Sequence, residues 1–466
     1  MRVLFATAEF HPIAMVGGLG AASAGLVAEL RRLGIDVRVA MPDYGGVALE
    51  NEERIELKVP KWVGPASVRR GVHAEAGALD LVSVEGMARP HPYLLPSGEG
   101  FPDNDERFLR FSAAVAALTE RDAPDVLHLN DWHTATALAA LESPPPSVLS
   151  IHNLVYQGIT APAWLTKIGP RAKAFERQKD CNPLAGGIAL ADRIVVVSPT
   201  YAKEVRTPAG GAGLDALLTS RAGQLVGILN GIDTTVWDPA HDRALVRTYG
   251  ARTLWRKEAN REALRKDLGL RLRPDVPLFV VLSRLAHQKG IDLLVPLLRF
   301  FPALPAQLAV LGAGERDVAS GLKDAVARSR GDIAFVEGYD EGMSHRLLAA
   351  GDMLLMPSRF EPCGLTQMQA MRYGTLPVAT DVGGLHDTIV DLDQDPERGN
   401  GWLAAEPSEV AVLDAIHRAV RGWHRKALRR GAQRRAIATD WSWKRPAREY
   451  LELYRRVRSA GPTTLV

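Results

Sequence analysis

Met353-Leu354-Leu355-Met356-Pro357-Ser358-Arg359-Phe360-Glu361-Pro362-Cys363-Gly364-Leu365-Thr366-Gln367 joins four consecutive apolar residues to a turn carrying a carboxylate, prolines and a glycine. An apolar run this short, bounded by turn residues, suits a strand buried in a parallel sheet. The polar turn then falls at the strand's carboxyl end, the edge along which open α/β sheets bind ligands. The stretch predicts a doubly wound sheet with a binding site on its rim.

The same unit recurs on both sides of it: a short aliphatic run, a turn rich in glycine, asparagine or aspartate, then a helical pattern. Candidate strands of the first half are residues 3–8, 36–40, 126–129, 148–151 and 193–197, with helical stretches at 22–33 and 108–119. The second half offers 278–282, 307–311, 333–336, 353–356 and 376–379. Such alternation implies two Rossmann-like α/β domains with parallel sheets. Asn230-Gly231-Ile232-Asp233 followed by Trp237-Asp238-Pro239 is rich in turn residues, which places the hinge near Trp237. The first domain is therefore expected at 1–237 and the second at 238–445. Weak strands at 54–59 and 79–84 suggest a hairpin-bearing insertion near 44–100. The basic tail, 418–458, reads as helical with a solvated face, interrupted by Trp441-Ser442-Trp443 and Pro446.

With 466 residues, 46% hydrophobic and 24% charged, the chain can bury two full cores. A net charge of +3 gives no general field for nucleic acid. Two cysteines, Cys181 and Cys363, make no disulfide framework, and no apolar run of about eighteen residues suggests a membrane span. The first strand runs straight into Glu9 and His11 without the small-residue cleavage site of a signal peptide, so a cytoplasmic protein is expected.

Four further motifs carry chemistry. Met15-Val16-Gly17-Gly18-Leu19-Gly20 lies between the first strand and a helix, where glycines let backbone amides approach an anion. A tight β-to-α turn needs glycine on steric grounds as well. The spacing is not G-x-G-x-x-G, which argues against a dinucleotide oxidoreductase. Ser283-Arg284-Leu285-Ala286-His287-Gln288-Lys289-Gly290 sets two cations five apart on a loop entering a helix. There they can converge on one diphosphate, Arg284 as a planar fork and Lys289 as a point charge, or remain ordinary surface charges. His128-Leu129-Asn130-Asp131-Trp132-His133 and Ser150-Ile151-His152-Asn153-Leu154-Val155-Tyr156-Gln157-Gly158 complete the set.

In this order these strings, with the Ser358 to Gln367 turn, resemble the glycogen and starch synthases over nearly the whole chain, from Arg2 to about Tyr454. The resemblance implies the GT-B fold, with the nucleotide held mainly by the second domain and the glucan by the first. A C-terminal helix, 446–466, would cross back to the first domain. It also implies an enzyme: a retaining glucosyltransferase moving α-glucose from ADP-glucose to the non-reducing end of an α-1,4-glucan. Arg284 and Lys289 would hold the departing diphosphate, Glu361 the sugar hydroxyls, and His152 would face the donor sugar. Asp131 would bind hydroxyls above Trp132. Glu9, Tyr93, Asn153 and Asn230 would line the glucan and donor site, and Gly17, Gly18 and Gly20 the diphosphate. Gly364, Leu365, Thr366, Gly383 and Gly384 would line the donor side, with Cys363 either a reactive thiol or a small packing residue. The family's lysine in the glycine loop is Met15 here, and the aspartate that follows is Ala21. Losing one charge-assisted bond of about 1.5 to 3 kcal/mol corresponds to roughly ten- to a hundredfold in donor binding or rate.

Gln369 stands where many retaining transferases carry a second glutamate, so a front-face reaction is preferred to double displacement. His128 and His133 lack a third ligand at a usable spacing, and Asp391-Leu392-Asp393 reads as a solvated loop, so neither metal nor other cofactor is expected. The expected partners are a nucleotide sugar and glucan, with no nucleic acid and no membrane. Two alternatives stand: a related retaining transferase using UDP-glucose, another nucleotide sugar or a short acceptor, and a glucan-binding protein without turnover.

Overall fold

The computed structural model describes residues 1–96 and 98–460. The last six positions of the expected C-terminal helix, 461–466, and residue 97 of the expected insertion lie outside the described residues. The chain divides into two compact units, Met1–Gly231 with the segment from Trp443 onward, and Ile232–Ser442.

The first unit contains β1 (Arg2–Ala6), β2 (Asp36–Pro42), β3 (Glu50–Glu56), β4 (Ala66–His73), β5 (Gly77–Val84), β6 (Val126–Asn130) and β7 (Ser147–Ile151). A two-residue ribbon of β8 (Glu176–Arg177) and β9 (Asp180–Cys181) precedes β10 (Arg193–Val196) and β11 (Leu225–Gly227). The sheet order is β11-β10-β7-β6-β1-β2-β5-β4-β3. Pairing is parallel from β11 to β5 and antiparallel across β5, β4 and β3. The chain leaves β1 toward β2 and returns on its other side at β6, so β1 and β6 flank a topological switch point, where the carboxyl ends of the strands open a crevice.

Two local readings are corrected. The strand expected at 54–59 runs instead from Glu50 to Glu56, and β4 was not foreseen, because Arg69-Arg70 hides its alternation. Tertiary pairing supplies the reason for those charges: Arg70 lies opposite Asp80 in the register and grips it at 2.9 and 2.8 Å. Pro446 does not interrupt a helix. It sits in the first turn of Lys444–Ala460, where a missing N–H forfeits no intrahelical bond.

That helix packs Tyr450, Tyr454 and Val457 into the core of the first unit, together with Trp443 just before it. Gly25 makes room for it, since a Cβ there would come within 2.0 Å of the Trp443 indole nitrogen. His128 of β6 is fully buried and hydrogen-bonded to the Tyr454 hydroxyl (2.6 Å) and the Ser150 hydroxyl (2.8 Å). Burial drives its pKa down to about 3, so it is a neutral core residue.

The second unit is a six-stranded, wholly parallel sheet of β12 (Leu278–Leu282), β13 (Gln307–Gly312), β14 (Ile333–Glu337), β15 (Met353–Met356), β16 (Leu376–Thr380) and β17 (Trp402–Ala404). Its order, β14-β13-β12-β15-β16-β17, puts the switch point between β12 and β15. Trp237 belongs to this unit, which corrects the boundary expected there. Its ring stacks on His345 at 4.1 Å and 11°, and the neighbouring Asp238 meets Arg372 at 3.3 Å. Burying an indole against a packed imidazole outweighs the turn-forming composition around it.

Candidate functional site

In the first unit, the loops after β1, β6 and β7 supply the polar groups. Asp131 stands at the end of β6 with φ of 54°, a left-handed conformation that few side chains adopt. Its carboxylate accepts the His152 amide at 2.7 Å and is also bonded by the Asn153 amide. Burial nevertheless raises its pKa to about 7, against the pull of those amides. Asn130, not singled out from sequence, orients the neighbouring imidazole. Its amide nitrogen donates to the Ala6 carbonyl at 2.9 Å, which turns Oδ1 toward His152 Nε2 at 3.0 Å. An amide oxygen can only accept, so Nε2 carries the proton and Nδ1 keeps its lone pair. Burial lowers the His152 pKa to about 4, and the ring is neutral at pH 7.

Around this pair, Trp132 meets Phe108 edge-on at 5.4 Å, and Gly158 lies against its indole so closely that a Cβ would fall 2.2 Å from Cε3. Asn153 accepts the Val155 amide at 3.2 Å. Asn230 is buried, and its Oδ1 has no hydrogen-bond partner among the described residues.

The glycine loop differs from its sequence reading. Glu9 lies beneath it, accepting the Val16 and Gly17 amides on Oε2 at 2.7 and 3.1 Å and the Tyr93 hydroxyl on Oε1 at 2.9 Å. Those two amides are therefore engaged by a carboxylate of the chain itself, leaving Gly18, Leu19 and Gly20 as the first turn of Gly18–Arg32. Gly20 has a steric reason to be glycine, because a Cβ would sit 2.9 Å from the Ala14 carbonyl. Met15 is 40% exposed and brings no charge.

In the second unit, the loops after β12 and β15 flank the switch point. Lys289 Nζ lies 2.9 and 2.7 Å from the two oxygens of Glu361, and the Ser358 hydroxyl donates to Oε2 at 3.0 Å. Glu361 is only 4% exposed. Arg284 is exposed and its guanidinium has no partner among the described residues, so Lys289 is tied to a carboxylate rather than to any arrangement with Arg284. Gly364 adopts φ of 72°, and Cys363 is buried. Gly384 donates its amide to the Glu361 carbonyl at 2.9 Å, and a Cβ on it would strike the Cys363 carbonyl at 2.0 Å. Leu365 and Thr366 open the helix Thr366–Arg372, and Gly383 opens Gly383–Thr388. Asp391 and Asp393 are both bound by Arg418, at 2.9 and 3.3 Å.

Residues 2–220 match the starch synthase catalytic domain family, and residues 260–435 match glycosyl transferases group 1. A glycogen synthase of Halorhodospira halophila is 40% identical across 98% of this chain and 99% of its own length. The chain belongs to the glycogen and starch synthases. A glycogen synthase of Dechloromonas aromatica is 38% identical over 98% of each chain. The solved catalytic domain of starch synthase IV from Arabidopsis thaliana, bound to ADP and acarbose, superposes with a TM-score of 0.88 at 32% identity, covering 98% of this chain and 99% of that one. The two α/β units are accordingly those of a GT-B glycosyltransferase. Among the described residues no helix is long and apolar enough to cross a membrane.

Proposed function

We propose that this glycogen and starch synthase family member transfers α-glucose from ADP-glucose to the non-reducing end of an α-1,4-glucan with retention. The observation that carries the reading is the Lys289–Glu361–Ser358 cluster on the switch point of the second sheet, in a chain so similar to glycogen synthases. The donor nucleotide follows the ADP-bound starch synthase relative.

The bond from C1 of glucose to the diphosphate oxygen breaks, and its electron pair stays on that oxygen. Arg284 and Lys289 stabilise the anion so formed, and such stabilisation counts only as far as it is stronger in the transition state. Once Lys289 turns to phosphate, Glu361 is free to accept hydrogen bonds from sugar hydroxyls. The acceptor hydroxyl attacks C1 from the face the diphosphate leaves, and its proton passes to the departing phosphate oxygen. Neutral His152 and Asp131, whose burial raises its pKa to about 7, offer hydrogen bonds to the hydroxyls of a sugar ligand. The location proposed with this activity is the cytoplasm, where the buried Cys181 and Cys363 would stay as thiols.

Glucose incorporation into glycogen by the purified protein is the test. ADP-glucose should serve as donor, and no incorporation from either ADP-glucose or UDP-glucose refutes the reading. A preference for UDP-glucose would overturn the donor alone.

A further inference from the structure

Lys289 and Glu361 lie on different loops, and a second set of bonds ties those loops together just before each of them. Arg359 reaches Asp292 with both prongs of its guanidinium, Nη1 to Oδ1 and Nη2 to Oδ2, each at 2.7 Å. Nη1 also donates to the His287 carbonyl at 2.8 Å. The Arg359 amide donates to the Gln288 carbonyl at 2.9 Å, and the Gln288 side chain returns a bond to the Phe360 carbonyl at 3.4 Å. Residues 287–288 and 359–360 are thus stitched side by side, immediately upstream of the reacting ammonium and carboxylate.

An exposed ion pair contributes little to stability, and this one is only partly buried, at 23% and 35% side-chain exposure. Its planar fork and third bond supply geometry instead, which a lysine could not reproduce. We propose that Arg359, through Asp292 and the His287 carbonyl, is a positioning residue that sets where Lys289 stands relative to Glu361, and so where it meets the donor phosphate. The identity of that phosphate rests on the donor reading above; the spacing of the two loops does not.

Two measurements test it. In a crystal of ligand-free Arg359→Lys, Lys289 Nζ should lie beyond about 4 Å from Glu361, outside ion-pair range. In kinetics with ADP-glucose, Arg359→Ala should lower kcat/KM about ten- to a hundredfold, the scale of a misplaced catalytic group. In a Lys289→Ala background the same change should cost less than about threefold, because its effect passes through Lys289. An intact Lys289–Glu361 pair in Arg359→Lys, or equal losses in both backgrounds, overturns the proposal. Should Arg359→Ala not fold, Asp292→Asn takes its place in the cycle. If the unmodified protein transfers glucose from neither nucleotide sugar, the donor reading has failed, and the crystal structure alone decides the positioning role.

Discussion

Asp131, buried at the switch point of the first sheet, and His152 beside it have no ionic partner among the described residues, whereas Glu361, at the second, is buried in an ion pair with Lys289. Burial raises Asp131 to about 7 and lowers His152 to about 4, so neither group carries a full charge at neutral pH. Glu361, equally buried, is instead held by an ammonium and a hydroxyl. The contrast matches two kinds of ligand chemistry. Directional hydrogen-bonding groups, neutral or ionised, can recognise sugar hydroxyls, while a diphosphate calls for cations such as Lys289.

The largest effect that would sharpen this contrast belongs to Lys289→Ala. Steady-state titration with ADP-glucose should give a fall of about a hundred- to a thousandfold in kcat/KM, the range for removing one preorganised stabiliser of a leaving charge. A loss below about threefold would break the assignment of charge recognition to the second unit. Asn130→Ala should reduce kcat by about ten- to thirtyfold, on the scale of a lost buried hydrogen bond. Nitrogen-15 spectra of the histidines should then report His152 as a mixture of tautomers, where the unmodified protein holds its proton on Nε2. A single Nε2–H form in both proteins would remove Asn130 from the argument.

Met15→Lys should improve donor affinity only about three- to tenfold by titration calorimetry. Position 15 is 40% exposed, so solvent screens the new charge and trims the full value of a phosphate contact. No gain at all would favour a donor unlike the family's.

The smallest effect is on stability. His128, His133 and His152 have folded pKa values of about 3, 3 and 4, below the ordinary 6.5, so the unfolded chain binds more protons as pH falls from 6.5 toward 4 for His152 and toward 3 for the other two. Their contribution is full above pH 6.5 and is lost across that window. Asp131 opposes them, because its folded value of about 7 exceeds 3.8 and its proton favours the folded state on acidification. Three groups against one predict a lower Tm at pH 5 than at pH 7 in thermal unfolding, and His128→Gln should flatten that fall.

Much of this was legible in one dimension. β12 and β15 have the boundaries read from their apolar runs, because a strand buried on both faces admits little else. The glutamate turn and the cation loop could be placed at strand ends for the same reason. Other elements were not legible. β4 carries two arginines whose partners lie elsewhere in the fold, Asp80 of the next strand for Arg70 and Glu52 and Asp43 for Arg69, so its sequence lacks the alternation that marks a strand. The bonds of Glu9 to the glycine loop and Tyr93 were not legible either, since no spacing rule announces them. Asn130 lay inside a quoted motif and Arg359 beside the key glutamate, and neither could be given a partner from sequence.

Local order along the chain was enough to determine two α/β units with parallel strands at their centres, their strand-end loops and the residue types on those loops, since each depends on neighbours a few positions apart. Which groups touch was decided by tertiary structure alone. Lys289 and Glu361 are seventy-two positions apart, and only the adjacency of β12 and β15 in the sheet brings them within 2.7 Å. Whether a carboxylate such as Asp131 stays ionised likewise depends on how much water the surrounding fold excludes, a property that no linear stretch possesses.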